Sequence, residues 1–164
     1  MKNIKVIETK EVDLKNILAL WADGDVMKFV GFPNGLKETM ENLNKWYKWI
    51  EKSRPNTNHY SIYNGDEYCG ESFYSIDNER DNIASLDIKL FEHARGKGIA
   101  SFALNHAIQE AFKNGASRVW VDPNPNNIKA ILLYERLGFV RKPIPDYIKE
   151  EDGPDIVYME KYND

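Results

Sequence analysis

Six residues past the middle of the chain, Arg95-Gly96-Lys97-Gly98-Ile99-Ala100, set two glycines and two cations at the start of a helical pattern. Glycines let a backbone approach a ligand closely, and the first turn of a following helix offers free N–H groups and partial positive charge. That chemistry suits a pyrophosphate. Alone, the pattern also describes a tight turn. It lacks the downstream glycine of a dinucleotide fingerprint and the Gly-Lys-Ser/Thr of a nucleoside-triphosphate loop. Further on, Asp122-Pro123-Asn124-Pro125-Asn126-Asn127 leads into a second helical segment carrying Tyr134 and ending at Gly138-Phe139. Upstream, Asp87 alternates with apolar Leu86 and Ile88, which puts its carboxylate on the opposite face of a strand.

The elements that must position these groups follow from periodicity. Ile4 to Ile7 reads as a strand, and Asp13 as the cap of a helix with Leu14, Ile17, Leu18 and Trp21 on one face. Gly24 and Gly31-Phe32-Pro33-Asn34-Gly35 are turn chemistry, followed by a helix over about Lys37 to Lys52. His59–Tyr63 and Tyr68–Ile76 flank Asn64-Gly65-Asp66-Glu67 as a hairpin, and Leu86, Ile88 and Leu90 mark a third strand. A helix over about Lys97 to Asn114 stops at Gly115, a short strand spans Val119–Val121, and a helix runs from Asn127 to Gly138. Phe139 onward and Ile156–Met159 read as closing strands. The order gives an α/β domain with one central sheet, and nothing divides residues 1–164.

Composition excludes several classes. At 164 residues and net charge −4, the chain offers no electrostatic basis for binding nucleic acid. No run approaches the ~20 apolar residues of a membrane span. The one cysteine, Cys69, excludes an internal disulfide and suits a reducing cytoplasm. The N-terminus lacks the apolar stretch of a signal peptide.

Two signatures in the right order carry a resemblance. Arg95, Gly98 and Ala100 match the Arg/Gln-x-x-Gly-x-Gly/Ala loop of the GNAT superfamily of acetyltransferases. Asn127, Ala130, Tyr134, Gly138 and Phe139 match that family's second signature, and the stretch from about Ile83 to Phe139 resembles it throughout. The resemblance implies a GNAT fold, a mixed twisted sheet splayed in the middle with helices on both faces. It implies acetyl-CoA as co-substrate, no metal, and transfer of the acetyl group to a primary amine in a ternary complex. Arg95, Gly96, Lys97, Gly98, Ile99 and Ala100 would hold the pyrophosphate. Main-chain groups at Leu90 would hold the pantetheine arm, and Asn127 would either touch that arm or cap its helix. Tyr134, with an ordinary phenol pKa of ~10, would protonate the departing thiolate, or else pack on the sheet. Asp87 would take the amine's proton directly or through water, with Glu71 the second choice and a plain polar strand residue the alternative.

The acceptor is read less sharply. Trp21-Ala22-Asp23-Gly24-Asp25-Val26-Met27-Lys28-Phe29 is similar to the opening of ribosomal-protein N-terminal acetyltransferases, whereas Asp122 to Ile131 is similar to aminoglycoside 6′-N-acetyltransferases. These point to different amines. A small cationic molecule, aminoglycoside- or polyamine-like, is the leading expectation. A protein N-terminus, or a coenzyme-A sensor without catalysis, are its rivals. A homodimer is left open. Trp46, Tyr47 and Trp49 either line an acceptor pocket or pack a helix. Asp146, Glu150, Glu151, Asp152 and Asp155 either attract a polycation or form a solvated loop. His59, His93 and His106 are too scattered to suggest a triad, and Cys69 reads as core.

Overall fold

A computed structural model describes residues 3–152 and 155–163. In chain order the elements are β1 (Ile4–Glu8), α1 (Leu14–Trp21), α2 (Gly24–Met27), α3 (Met40–Ser53), β2 (Thr57–Asn64), β3 (Glu67–Asp77) and β4 (Ile83–Leu90). There follow α4 (Ile99–Lys113), β5 (Arg118–Val121), α5 (Ile128–Arg136), β6 (Val140–Arg141), α6 (Asp146–Asp152) and β7 (Met159–Tyr162). Among the described residues the strands form one sheet in the order β1-β2-β3-β4-β5-β7-β6. Every neighbouring pair is antiparallel except β4 with β5. Among the described residues no helix is long and apolar enough to cross a membrane.

Strand alternation divides the side chains between two helical layers. On one face Leu104, Ala107, Ile108 and Ala111 of α4 bury Tyr60, Tyr74, Leu86 and Val119. On the other, Leu14, Ile17 and Leu20 of α1 and Leu43 of α3 close over Tyr68. A β-bulge at Ile62/Tyr63 shifts the β2–β3 register beside this second cluster.

Local chemistry moves several expected boundaries. Thr39 accepts from Asn42 N–H at 3.1 Å, so α3 begins at Met40 and not at Lys37. Asp13 does not cap α1 with its side chain; it is buried and accepts from Lys10 N–H at 2.8 Å and from the Tyr63 hydroxyl. Gly24 opens a short helix instead of a turn, because Asp23 accepts from the N–H groups of Asp25 and Val26. The acidic run from Asp146 is the helix α6, tied down by buried Ile148 and by the Arg80 guanidinium 3.9 Å from the centre of the Tyr147 ring. The last strand is Met159–Tyr162, displaced from the expected Ile156–Met159.

The feature that matters for function is a mismatch in pairing. β3 stays with β4 along its whole length, down to Gly70 opposite Leu90. β5 pairs with β4 only at Ile83–Arg118, Ala84–Val119 and Ser85–Trp120. From Leu86 to Leu90 one edge of β4 therefore faces an opening.

Gly70 makes the close β3–β4 approach at that end. Its φ is +154°, and an added Cβ would lie 2.0 Å from the Lys89 carbonyl oxygen and 2.9 Å from Leu90 Cα. Both obstacles are backbone and cannot rotate away. Gly70→Ala should lower stability by at least about 2 kcal/mol, or several degrees in Tm for a chain of this size. Denaturant titration checks this, and an unchanged midpoint would refute the packing argument.

Candidate active site

The gap between β4 and β5 is a cleft of about 760 Å³. Its walls are Leu86 to Leu90, the Arg95–Ser101 turn, the segment after Val121, and α5 with Tyr134. Gly96 (φ 75°) and Gly98 (φ 78°) both take left-handed backbone that favours glycine. A Cβ on Gly96 would meet nothing within 4 Å, so this glycine is needed for conformation and not for space. α4 starts directly after Gly98 with no side chain capping its first turn. Its leading N–H groups therefore remain donors for a ligand in the cleft.

Arg95 stabilises this turn from the side. Its guanidinium donates to the Leu90 carbonyl at 3.0 and 3.2 Å and pairs with Asp25 at 2.8 Å. The loop is thus tied both to the end of β4 and to α2. Lys97 is exposed and does not line the cleft. Asn127 is the N-cap of α5, accepting from Ala130 N–H at 3.3 Å, and it lines the cleft as well.

Tyr134 reaches the same opening from α5. It is buried, with its ring edge-on to Phe139 at 5.5 Å. Burial, then the charges of Asp87 and Asp122, push its phenol well above the usual tyrosine range. The hydroxyl is therefore protonated at neutral pH and can donate.

Asp87 lies on the face away from α4, as its alternation implies. Register places two rows side by side on this face: His59, Phe73 and Asp87, and next to them Ser61, Glu71 and Lys89. A third row holds Ser75, Ser85 and Trp120. Phe73, Ser75, Ser85, Asp87 and Trp120 are all half-buried, while Tyr74, Ala84, Leu86 and Val119 of the opposite face are buried. The Asp87 carboxylate, 43% exposed, is thus set among half-open aromatic and hydroxyl side chains.

Behind Asp87 lies a buried polar network. Glu71 accepts from Trp21 Nε1 at 2.9 Å and from His59 Nε2 at 2.9 Å, and has Lys89 Nζ at 3.5 Å. Lys89 also bonds the Asp87 carboxylate. His59 continues inward to Thr9 at 2.6 Å, and Thr9 to Ser61 at 2.8 Å. The ring of Trp46 stands edge-on to both Trp21 and His59. Burial alone would raise the Glu71 carboxyl, but His59 and Lys89 outweigh it and hold it down at about 2.

Nearly all the residues singled out from sequence therefore share one cleft: Asp87, Leu90, Arg95, Gly96, Gly98, Ile99, Ala100, Asn127 and Tyr134. Among the described residues, Lys97, Glu71, Trp46, Tyr47, Trp49 and the acidic side chains of Asp146, Glu150, Glu151 and Asp155 do not line the cleft, and the Asp152 side chain lies outside the described residues. Glu150 and Glu151 are exposed on α6, and Trp49 is half exposed on α3. Sequence reasoning missed Lys89 and set His59 aside. The available signal was parity, since Lys89 shares Asp87's face two residues on. Cys69 is core as expected, with its thiol pushed up by burial.

A splayed sheet with a glycine turn and an uncapped helix at the splay defines the class. Residues 5–140 match the family model for the acetyltransferase (GNAT) domain, and the chain belongs to that family. Streptothricin acetyltransferase of Streptomyces lavendulae is 38% identical over 66 residues, 40% of this chain and 34% of that protein's length. The spermidine N-acetyltransferase of Vibrio cholerae, solved with CoA and spermine, superimposes with a TM-score of 0.77 at 18% identity, covering 98% of this chain and 94% of that one. The ribosomal-protein-alanine N-acetyltransferase of Brucella melitensis gives 0.78 at 20% identity, covering 97% and 99%. Both likenesses are of fold.

The Glu71 network sets a pH dependence. A carboxyl with an unfolded pKa of ~4.3 and a folded value of about 2 stabilises the fold above the unfolded value. That contribution disappears as pH falls through the folded value. Glu71→Gln should therefore flatten the acid limb of the stability curve between about pH 4.5 and 2. Urea titrations across that window check it, and parallel limbs would show that Glu71 is not ionised in the fold.

Proposed function

We propose that this acetyltransferase moves an acetyl group from acetyl-CoA to a primary amine of a small cationic molecule by direct transfer in a ternary complex. One observation carries the reading: a protonated phenol, Tyr134, and a carboxylate, Asp87, flank the opening between β4 and β5. Acyl transfer from a thioester to an ammonium needs those two groups, one to protonate the thiolate and one to receive the amine.

The residues present fit the coenzyme. The uncapped start of α4 and the Gly96–Gly98 turn suit a pyrophosphate, and the open edge of β4 offers amide partners for the pantetheine arm. Arg95 keeps that edge in place by holding the Leu90 carbonyl. When bound, acetyl-CoA supplies an activated acyl carbon. β4 amides facing the opening would donate to the carbonyl oxygen as charge develops there. Tyr134 would give its proton to the leaving sulfur. Asp87 would hold the incoming ammonium and receive its proton directly or through water. Glu71 is the poorer candidate, because it is buried and does not line the cleft, whereas Asp87 is half exposed there. Burial of Cys69 supports direct transfer over an acetyl-thiol intermediate.

For the acceptor, the half-exposed Asp87 carboxylate lining the cleft supports a small cation through its charge. The streptothricin relative acts, by its name, on a small molecule too. Substrate charge would be read at Asp87 and not at Asp146, Glu150 or Glu151 of α6, which lie outside the cleft.

Acetyl-CoA should raise Tm by mass-action linkage, and Gly98→Glu should abolish that shift by placing bulk and negative charge at the phosphate site. No calorimetric binding at millimolar acetyl-CoA would end the proposal. A panel of polyamines, aminoglycosides and neutral peptides then tests the acceptor, and faster transfer to neutral peptides would favour a protein N-terminus.

Tyr134→Phe keeps the packed ring and removes the proton donor. kcat should fall by roughly 10²-fold with acetyl-CoA affinity little changed. An unchanged kcat, where chemistry limits the rate, would assign Tyr134 to packing.

A further inference from the structure

Lys89 is a cation in the wrong place for a surface lysine. Its side chain is 13% exposed, at the end of β4 where the sheet opens. A lysine stem normally carries its charge out to water. Here the ammonium is folded back along its own strand onto Asp87, two residues before it on the same face. Only a further anion can hold it there, and Glu71 stands directly across on β3. Glu71 in turn is fixed by Trp21 and His59. An ion pair needed only to join β3 to β4 would be complete with Glu71 and Lys89. The second contact, to a carboxylate 43% exposed in the cleft, carries the buried network to the reacting edge.

We propose that Lys89 is a positioning residue for the acceptor amine: clamped between Glu71 and Asp87, it holds the Asp87 carboxylate in one orientation at the opening between β4 and β5. This rests on the reading of Asp87 as the group that receives the acceptor. Asp87 has one oxygen on Lys89 and the other on the Ile88 N–H, so its rotation is limited from both sides. The charged and titratable groups around it are Lys89 on its own strand, Glu71 on β3, His59 on β2, Tyr134 on α5 and Asp122 after β5. Lys89 is the cation in direct contact with it. Its ammonium is itself held protonated, since the two carboxylates outweigh burial. It is therefore neither a nucleophile nor a proton carrier.

The test uses the full chain. Lys89→Met alone leaves Glu71 charged and buried and can fail to fold, so the informative variant pairs it with Glu71→Gln. Lys89→Arg is the conservative control. The first readout needs no acceptor: the χ1 rotamer of Asp87 is read from its Hα–Hβ three-bond couplings, with the resonances assigned by comparison with Asp87→Asn. Loss of the Lys89 contact frees the carboxylate, so Asp87 should average over rotamers in the double variant and keep its original one in Lys89→Arg. The second readout is acetyl transfer to spermine, or to the best amine of the panel. kcat/KM should drop at least tenfold in the double variant and be largely retained in Lys89→Arg, while the acetyl-CoA dissociation constant stays within twofold. An unchanged Asp87 rotamer, or full kcat/KM in the double variant, would overturn the role of Lys89. If Asp87→Asn keeps full activity, or the unaltered protein acetylates no amine of the panel, the reading of Asp87 itself falls, and Lys89 with it.

Discussion

Three residues of parallel pairing hold β4 to β5, and then the strands part. The rest of the site depends on that divergence, and its causes lie on both sides. β3 keeps β4 extended as far as Leu90, where Arg95 grips the carbonyl. After Val121 the other strand cannot continue, because Pro123 and Pro125 have no N–H to give to a ladder. The freed segment turns away, and the Pro123 carbonyl is taken by Val157 N–H at 3.0 Å. An edge of backbone that would otherwise be satisfied by a neighbour is left for a ligand.

The divergence also decides what can meet. Tyr134 belongs to the face that packs α4, whereas Asp87 belongs to the face of α1 and α3. In an unbroken sheet backbone would separate them. With the strands apart, the phenol lies close enough to the Asp87 carboxylate to feel its charge. A proton donor and a carboxylate can then address one bond from opposite sides, each supported by its own core. Their environments differ accordingly: the phenol is buried in an apolar cluster, and the carboxylate rests on a charged network.

How much of this could be read beforehand follows from how local each feature is. The glycine turn and the Asn127–Phe139 segment are contiguous, with chemistry set by short-range spacing, and they were legible. Asp87 was legible because alternation along one strand fixes its face. Lys89, Glu71 and His59 were not joined, since their contact depends on register across β2, β3 and β4. Nothing in the separate strands states that register. The acidic run misled for another reason: charge density suggests solvated loop, whereas Ile148 is buried and Tyr147 meets Arg80, far away in sequence.

The two faces meet different demands. On the α4 side, the site proposed for the coenzyme is built from backbone: helix amides, a strand edge and glycine conformations. Such a site tolerates wide variation in side chains, which is consistent with one fold persisting at 18% identity. On the other side, recognition would fall to side chains: Asp87 and Lys89 at the cleft, with Glu71 behind them and Phe73 beside Asp87 in the sheet. Substitutions there change charge and shape without touching the strand divergence. Both the spermidine and the ribosomal-protein enzymes share this fold, so the fold cannot choose between their amines. On the proposed reading the choice rests with the face that carries Phe73, Asp87 and Lys89, which in this chain presents a half-exposed carboxylate beside a clamped lysine.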